Sequence, residues 1–204
     1  MRKGTFFVLS GPSGSGKGTV LKKVLAKDEN LAYSVSATTR APREGEIEGK
    51  NYFFKSRAEF ERLIKEGAFI EYNEMFGNYY GTLAAQVEEA VEKGFNIILE
   101  IDPVGARNVR FSYPDAVLMF LVAPSFEHLK QRLTGRGTEE GNALRVRLEA
   151  AVSEMENASL YDYMIVNEDI DSAACDILSI VRAENLKISN NTEILSQIKG
   201  GIKL

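Results

Sequence analysis

The chain has almost none of the residues that build covalent or metal-bound scaffolds. Its 204 residues include one cysteine, Cys175, and one histidine, His128. A lone cysteine excludes an internal disulfide. Met1-Arg2-Lys3-Gly4 leads straight into an apolar run with no secretory pattern, so a reducing, cytoplasmic setting is expected. Cys175 lies in a helical segment with Ala173, Ala174, Ile177 and Leu178 and is expected to fill core. His128, in Phe126-Glu127-His128-Leu129-Lys130, has no partners for a metal site or a triad and reads as a surface residue. No apolar run approaches the ~20 residues that cross a bilayer. Positive charge is not in excess either. With 25 Lys and Arg against 29 Asp and Glu, the net charge of −4 argues against a nucleic-acid or anionic-membrane surface. There is no internal repeat and no low-complexity block. What remains, 44% hydrophobic and 26% charged, is the composition of a globular protein long enough for one substantial core.

Against that background residues 11–19 stand out: Gly11-Pro12-Ser13-Gly14-Ser15-Gly16-Lys17-Gly18-Thr19. They follow the buried-strand run Thr5-Phe6-Phe7-Val8-Leu9 and precede Val20-Leu21-Lys22-Lys23-Val24-Leu25, which has helical periodicity. Strand, G-x-x-x-x-G-K loop and helix together make a phosphate-binding loop. Its glycines turn backbone N–H groups toward phosphate oxygens, and the helix N-terminus adds the positive end of its dipole. Lys17 brings a full charge to the terminal phosphates of a nucleoside triphosphate. The pattern asks for Ser or Thr directly after the lysine to ligate Mg²⁺, but Gly18 stands there and Thr19 follows. Either phosphate oxygens and water hold the metal, which Mg²⁺ accepts, or Thr19 takes part of that role.

Compact apolar runs at 5–9, 96–101, 116–122 and 163–166 predict strands. Helical stretches are expected near 17–27, 83–93, 103–112, 142–160 and 170–185. The alternation implies an α/β fold with a parallel sheet covered by helices on both faces, its ligands bound at the strands' C-terminal ends. Residues 33–82 break the pattern with short strand-like pieces, Asn51-Tyr52-Phe53-Phe54 and Phe69-Ile70-Glu71-Tyr72, and a tight turn at Gly77-Asn78. One helix interrupts them, with Ser56 as cap, Glu59 reaching back, and Gly67 as its end. A small mixed subdomain inserted into the core is the economical reading. The polar, glycine-rich stretch 134–142 suits a mobile lid. The tail after Leu186, with Ser189-Asn190-Asn191-Thr192, is expected to be weakly ordered.

Arginines cluster at Arg40 and Arg43 and again at Arg132, Arg136, Arg145 and Arg147. Arg40 and Arg43, with Pro42 stiffening the backbone between them, can turn two guanidinium forks onto one phosphate. The stretch Ser36-Ala37-Thr38-Thr39-Arg40-Ala41-Pro42-Arg43-Glu44-Gly45-Glu46 is followed by Gly49-Lys50-Asn51-Tyr52-Phe53-Phe54 and Gly77-Asn78-Tyr79-Tyr80-Gly81, with Gly135-Arg136-Gly137-Thr138 further on. In these motifs the chain closely resembles the guanylate kinase family, from about residue 4 to residue 185. The resemblance implies a P-loop nucleoside monophosphate kinase that phosphorylates GMP and dGMP with ATP and Mg²⁺. It divides residues 1–186 into a core (1–32, 83–125 and 160–186), a GMP-binding subdomain (33–82) and a lid region (126–159), with 187–204 as tail.

Carried over position by position, Arg40, Arg43, Tyr52 and Tyr80 would hold the GMP phosphate, and Ser36, Glu71 and Thr82 would face the guanine. Guanine presents N1–H and a 2-amino group side by side, and one carboxylate accepts from both. Asp102, after the strand Asn96–Ile101, matches an acidic position near the acceptor, suited to positioning Mg²⁺ waters or holding the clamp arginines. Glu100 falls where the family permits an acid. Arg132, Arg136 and Arg147 match lid arginines that, with Lys17, surround the migrating phosphoryl group with positive charge. Arg145 has no counterpart and reads as a solvated helix face. Glu139-Glu140-Gly141-Asn142-Ala143 departs from the acidic run usual in the lid. Asn167-Glu168-Asp169 ends a strand where it can border the adenine pocket. Two rival readings are weaker. A catalytically silent module that binds phosphorylated peptides would have a spoiled loop or lid, and an adenylate-type kinase shares Gly16-Lys17-Gly18-Thr19 but lacks the clamp and the Glu71/Thr82 pair. The implied partners are small nucleotides. The sequence leaves the oligomeric state and the ligation of the metal open.

Overall fold

All five residues of the first strand, β1 (Phe6–Ser10), are buried, and the rest of the core is arranged around them. The computed structural model describes residues 4–75, 77–134 and 142–200. After β1 come α1 (Lys17–Lys27), β2 (Leu31–Tyr33), β3 (Ala37–Thr38), β4 (Phe53–Phe54), α2 (Arg57–Lys65), β5 (Phe69–Met75) and β6 (Asn78–Leu83). Then follow α3 (Ala84–Glu92), β7 (Asn96–Glu100), α4 (Pro103–Ser112), β8 (Val117–Val122) and α5 (Phe126–Thr134). The last elements are α6 (Asn142–Met155), a 3₁₀ turn (Glu156–Leu160), β9 (Tyr163–Val166), α7 (Ile170–Leu186), a second 3₁₀ turn (Ile188–Asn190) and α8 (Thr192–Gly200).

Five strands form a parallel sheet in the order β2-β7-β1-β8-β9. A parallel sheet is buried on both faces, and β1 shows how. Phe7 and Leu9 join Val20, Leu21 and Val24 of α1 and Ala173, Ile177 and Val181 of α7. Phe6 and Val8 join Val87 of α3 and Ala106 and Val109 of α4 on the opposite face. The two-residue period of a strand thus divides one apolar run between two cores. Each such side chain stabilises the fold by about 1.5–3 kcal/mol when fully buried. The strand order reverses beside β1, which makes its C-terminal end the switch point where such sheets hold ligands. The loop after β1 lies there, and so do Glu100 at the end of β7, Asp102 just beyond it, and Asn167 after β9.

The region that breaks the alternation forms a second sheet, β4-β3-β6-β5, with β3 parallel to β4 and the other pairings antiparallel. Helix α2 anchors it through the fully buried Phe60, whose ring stacks on Phe69 at 4.4 Å and on Tyr79 at 5.2 Å. The Ser56 hydroxyl caps α2 by accepting from the Glu59 N–H at 3.2 Å, and the Glu59 carboxylate lies 3.2 Å from Lys55 Nζ.

In four places the structure departs from the sequence expectation. Strand β2 is only three residues long, too short for a period to show, and exists through its pairing with β7. The helix expected over 142–160 ends at Met155 and tightens into a 3₁₀ turn. Cys175 is exposed rather than core. The buried stripe of α7 runs through Ala173, Ala174, Ile177 and Val181, and Cys175 sits one step round the helix, 3.8 Å from Lys27 Nζ. In the tail, Ile194, Leu195 and Ile198 carry helical spacing, and the polar residues before them start α8 instead of marking disorder. His128 is a surface residue that shares a 2.8 Å hydrogen bond with Ser125 at the start of α5. Among the described residues no helix is long and apolar enough to cross a membrane.

Candidate active site

Between Ser10 and Lys17 the chain must turn sharply enough to start a helix above the strand end. Gly16 allows it. Its φ is +95°, and a Cβ there would lie 2.5 Å from Asn167 Nδ2, so both backbone and space call for glycine. The Lys17 ammonium folds back over the loop, donating to the carbonyls of Gly11 (2.6 Å) and Pro12 (3.3 Å). Distant segments hold the loop from outside. Asn167, 2% exposed, donates to Ser15 O at 2.7 Å. Arg132 of α5 donates to Ser15 O (3.2 Å) and Asn167 O (2.8 Å). Both are carbonyls, and among the described residues no carboxylate pairs with it. From α6, Arg147 donates to Ser13 Oγ at 3.0 Å, and Glu154 accepts the Ser13 N–H at 3.2 Å. Ser15 Oγ and Asn167 Oδ1 are buried with no hydrogen-bond partner among the described residues, a state that normally signals a ligand or water.

At the end of β7 the Glu100 carboxylate faces the loop. A Cβ on Gly18 would lie 3.5 Å from Glu100 Oε1, so the position after the lysine looks directly at this acid. Burial pushes the Glu100 carboxyl above its usual range, and the Lys17 charge opposes the shift. The Tyr33 phenol is also pushed up, chiefly by burial and then by Glu100. The same burial, with Tyr80 and Glu100 adding to it, raises Tyr52.

The second sheet presents two clusters. In the first, Arg40 Nη2 donates to both Glu46 oxygens (2.8 and 2.9 Å), its Nη1 donates to Ala41 O at 2.7 Å, and the guanidinium lies 5.4 Å from the Tyr52 ring centroid. Tyr52 in turn packs edge-on against Tyr80 at 6.1 Å. Glu46 also accepts the Arg43 N–H at 2.7 Å, and these bonds hold its carboxyl below the usual range.

In the second cluster Glu71 of β5 stands opposite Thr82 of β6, and its Oε1 accepts the Thr82 hydroxyl at 2.8 Å. A register shift between Phe69 and Glu71 lets the consecutive residues Ile70 and Glu71 both be buried. Glu71 is only 7% exposed. Burial pushes its carboxyl up to about 7, with the Thr82 hydrogen bond opposing and the Asp102 charge adding to the shift. Asp102 caps α4 through the Gly105 N–H (2.7 Å) and takes Asn73 Nδ2 of β5 on its other oxygen (3.1 Å), which joins the second sheet to the core. Ser36 lies half-buried just before β3, its carbonyl accepting the Phe53 N–H at 2.9 Å.

A glycine-rich loop after β1, an arginine–tyrosine cluster and a buried carboxylate on a second sheet make a set that has relatives. The family-wide sequence pattern of guanylate kinase matches residues 3–184. The chain belongs to the guanylate kinase family. Among solved structures, guanylate kinase from Anaplasma phagocytophilum is 40% identical, with 93% of this chain and 90% of that one covered and a TM-score of 0.77. A protein of Thermus thermophilus, 17% identical over 91% of this chain and 100% of its own, has a TM-score of 0.51 and shares the fold alone. The shikimate kinase of Acinetobacter baumannii is also 17% identical, over 90% and 96%, with a TM-score of 0.48. The chain is therefore an enzyme with the phosphotransferase activity of guanylate kinases, which act on GMP and use Mg-ATP.

In this guanylate kinase Arg132 and Arg147 both reach the loop of residues 11–19. Arg40, Tyr52 and Tyr80 form one cluster, and Glu71 and Thr82 another. Arg43 is exposed and tied in through its backbone, and Thr19 is exposed on α1. Arg136, with the rest of Gly135–Thr138 and Glu139–Gly141, lies outside the described residues. Arg145 pairs with Glu149 at 3.7 Å on an exposed face, as expected. Sequence reasoning did not single out Glu46, Asn73, Gly105 or Glu154. Glu46 stands six residues after Arg40 within one motif, a readable signal. Glu154 is 141 residues from Ser13, and no local pattern announces their contact.

Proposed function

We propose that this guanylate kinase converts GMP and dGMP to their diphosphates in the cleft between the phosphate loop and the second sheet. The observation that carries the reading is the buried Glu71–Thr82 pair. A carboxylate with one oxygen on Thr82 keeps acceptor capacity for guanine N1–H and the 2-amino group. Adenine lacks that pair of donors and would leave a buried acceptor unsatisfied, a penalty large enough to discriminate strongly. Ser36 lies along the same base site, and Asp102 fixes β5 against α4 beneath it. Arg40 and Arg43, with the phenols of Tyr52 and Tyr80, hold the acceptor phosphate.

An oxygen of that phosphate attacks the γ-phosphorus of ATP as the bond to the β–γ bridging oxygen breaks, and ADP departs with the electron pair. Little covalent help is needed; alignment and positive charge supply the rate. Lys17, Arg132 and Arg147 provide that charge on the donor side, with Arg136 added by family resemblance. Loop amides and the Ser15 hydroxyl donate to the triphosphate. Glu100, which faces Gly18 beside Lys17, suits a hard cation that keeps most of its waters and would hold Mg²⁺, with Thr19 the further oxygen donor that the sequence offers. When bound there, the cation would supply charge neutralisation to the triphosphate.

The test is steady-state ADP formation from Mg-ATP with GMP, dGMP, AMP, UMP or CMP offered singly. Turnover confined to GMP and dGMP is expected. Comparable turnover with AMP would sink the guanine site while leaving the fold untouched.

A further inference from the structure

Gly105 sits buried in the first turn of α4, where its N–H donates to Asp102 Oδ1. Its backbone is ordinary right-handed helix, a conformation every residue adopts, and glycine weakens a helix relative to alanine. Nothing in the local geometry asks for glycine. The reason lies on strand β5, which packs against α4. A Cβ built on Gly105 would come 2.7 Å from Glu71 Oε2 and 3.2 Å from Glu71 Cδ, while the next atom, Ile101 Cβ, stands at a comfortable 3.5 Å. Every clash an alanine would meet is with the Glu71 carboxylate. That carboxylate has little room to retreat, because it is buried and its other oxygen is held by Thr82.

We propose that Gly105 is a positioning residue for acceptor specificity: its missing side chain is the seat in which the Glu71 carboxylate is set at the angle that reads the guanine edge. The assignment rests on the reading of Glu71 given above. A methyl group at position 105 displaces Oε2 while Thr82 retains Oε1, which tilts the carboxylate out of the plane in which paired donors meet both oxygens. Phosphate binding and the donor loop are untouched, so the loss falls on recognition of the base.

The experiment uses the full chain and two acceptors, GMP and IMP, which differ only in the 2-amino group. Gly105→Ala is expected to raise KM for GMP at least tenfold, to leave KM for ATP within twofold, and to shrink the GMP-to-IMP preference in kcat/KM. Glu71→Gln is measured beside it. If Glu71→Gln leaves the GMP-to-IMP preference unchanged, the base reading itself fails. If Glu71→Gln collapses the preference and Gly105→Ala leaves it and KM for GMP within twofold of the parent, only the role of Gly105 is refuted. Thermal unfolding without nucleotide keeps the proposal open to refutation should Gly105→Ala fold poorly. In a Glu71→Ala background, where no carboxylate needs a seat, adding Gly105→Ala is expected to raise the unfolding midpoint through helix propensity. A lower midpoint in that background would show that something other than Glu71 requires the glycine, and would overturn the proposal.

Discussion

The two walls of the proposed cleft differ in how their charges are held. Around the loop, the Lys17 ammonium and the Arg132 guanidinium rest on carbonyls, with the acids Glu100 and Glu154 at its edges. On the acceptor side, charge is bound up before any ligand arrives. Arg40 Nη2 is held by both Glu46 oxygens, and Glu71 is a buried acid with its carboxyl pushed up to about 7. The phosphates of one nucleoside triphosphate look like those of any other, and generic donors suffice to hold them. One edge of one base is a finer target, and on the reading proposed above the buried Glu71 carboxylate would read it, because the wrong base leaves the cost of its burial uncompensated.

If the walls divide the work this way, each can be broken without the other. Lys17→Ala is expected to have the largest effect, cutting turnover by about 100- to 1,000-fold while calorimetry shows GMP still bound. Unchanged turnover would remove Lys17 from the transferring phosphate. Glu71→Gln comes next, with kcat/KM for GMP falling by about 10- to 100-fold and KM for ATP unmoved. In the parent, kcat/KM for GMP should rise with pH through about 7 as Glu71 ionises. That limb should vanish in Glu71→Gln, while a lower limb from the second ionisation of the GMP phosphate persists; a limb near 7 in both proteins would assign it elsewhere. Glu46→Ala unties Arg40 from its orienting carboxylate. It should raise KM for GMP about threefold to tenfold with kcat little changed, and an equal loss in KM for ATP would contradict the division of labour.

The smallest effect is on stability. The folded Glu71 carboxyl titrates near 7, against 4.5 for an unperturbed one, so the folded state holds its proton more tightly than the unfolded chain does. The associated stability is complete below pH about 4.5 and is lost as pH rises through about 7. Glu71→Gln should therefore raise the melting temperature of the ligand-free enzyme by several degrees at pH 8 and hardly at all at pH 5. A uniform shift at both values would trace the gain to packing instead.

The same contrast explains what the sequence made legible. The loop could be read because recognition by backbone needs glycines at fixed spacing between a strand and a helix. The parallel core could be read because strands buried on both faces are continuous apolar runs, as Phe6-Phe7-Val8-Leu9 shows. Helix α2 announced itself through Ser56 and Phe60. On the acceptor side, Arg40, Tyr52, Glu71 and Tyr80 were named from motifs and fall into two clusters, but the residues that support them were not named. Asn73 and Asp102 meet only because β5 packs on α4, and Asn167 reaches Ser15 across 152 residues of chain. Contacts of that kind leave no period and no local spacing. Cys175 failed for a smaller reason: one residue of helical phase separates it from the buried stripe.

Glu71 and Gly105 belong to different bodies, the first to the acceptor sheet and the second to a core helix. The gap between them is thus a shared coordinate, and any rocking of one sheet against the other must change it. On the proposal made above, the base site would be complete only when the two parts stand in register. A spectroscopic reporter on that gap would follow assembly of the site and selection of the substrate as a single event.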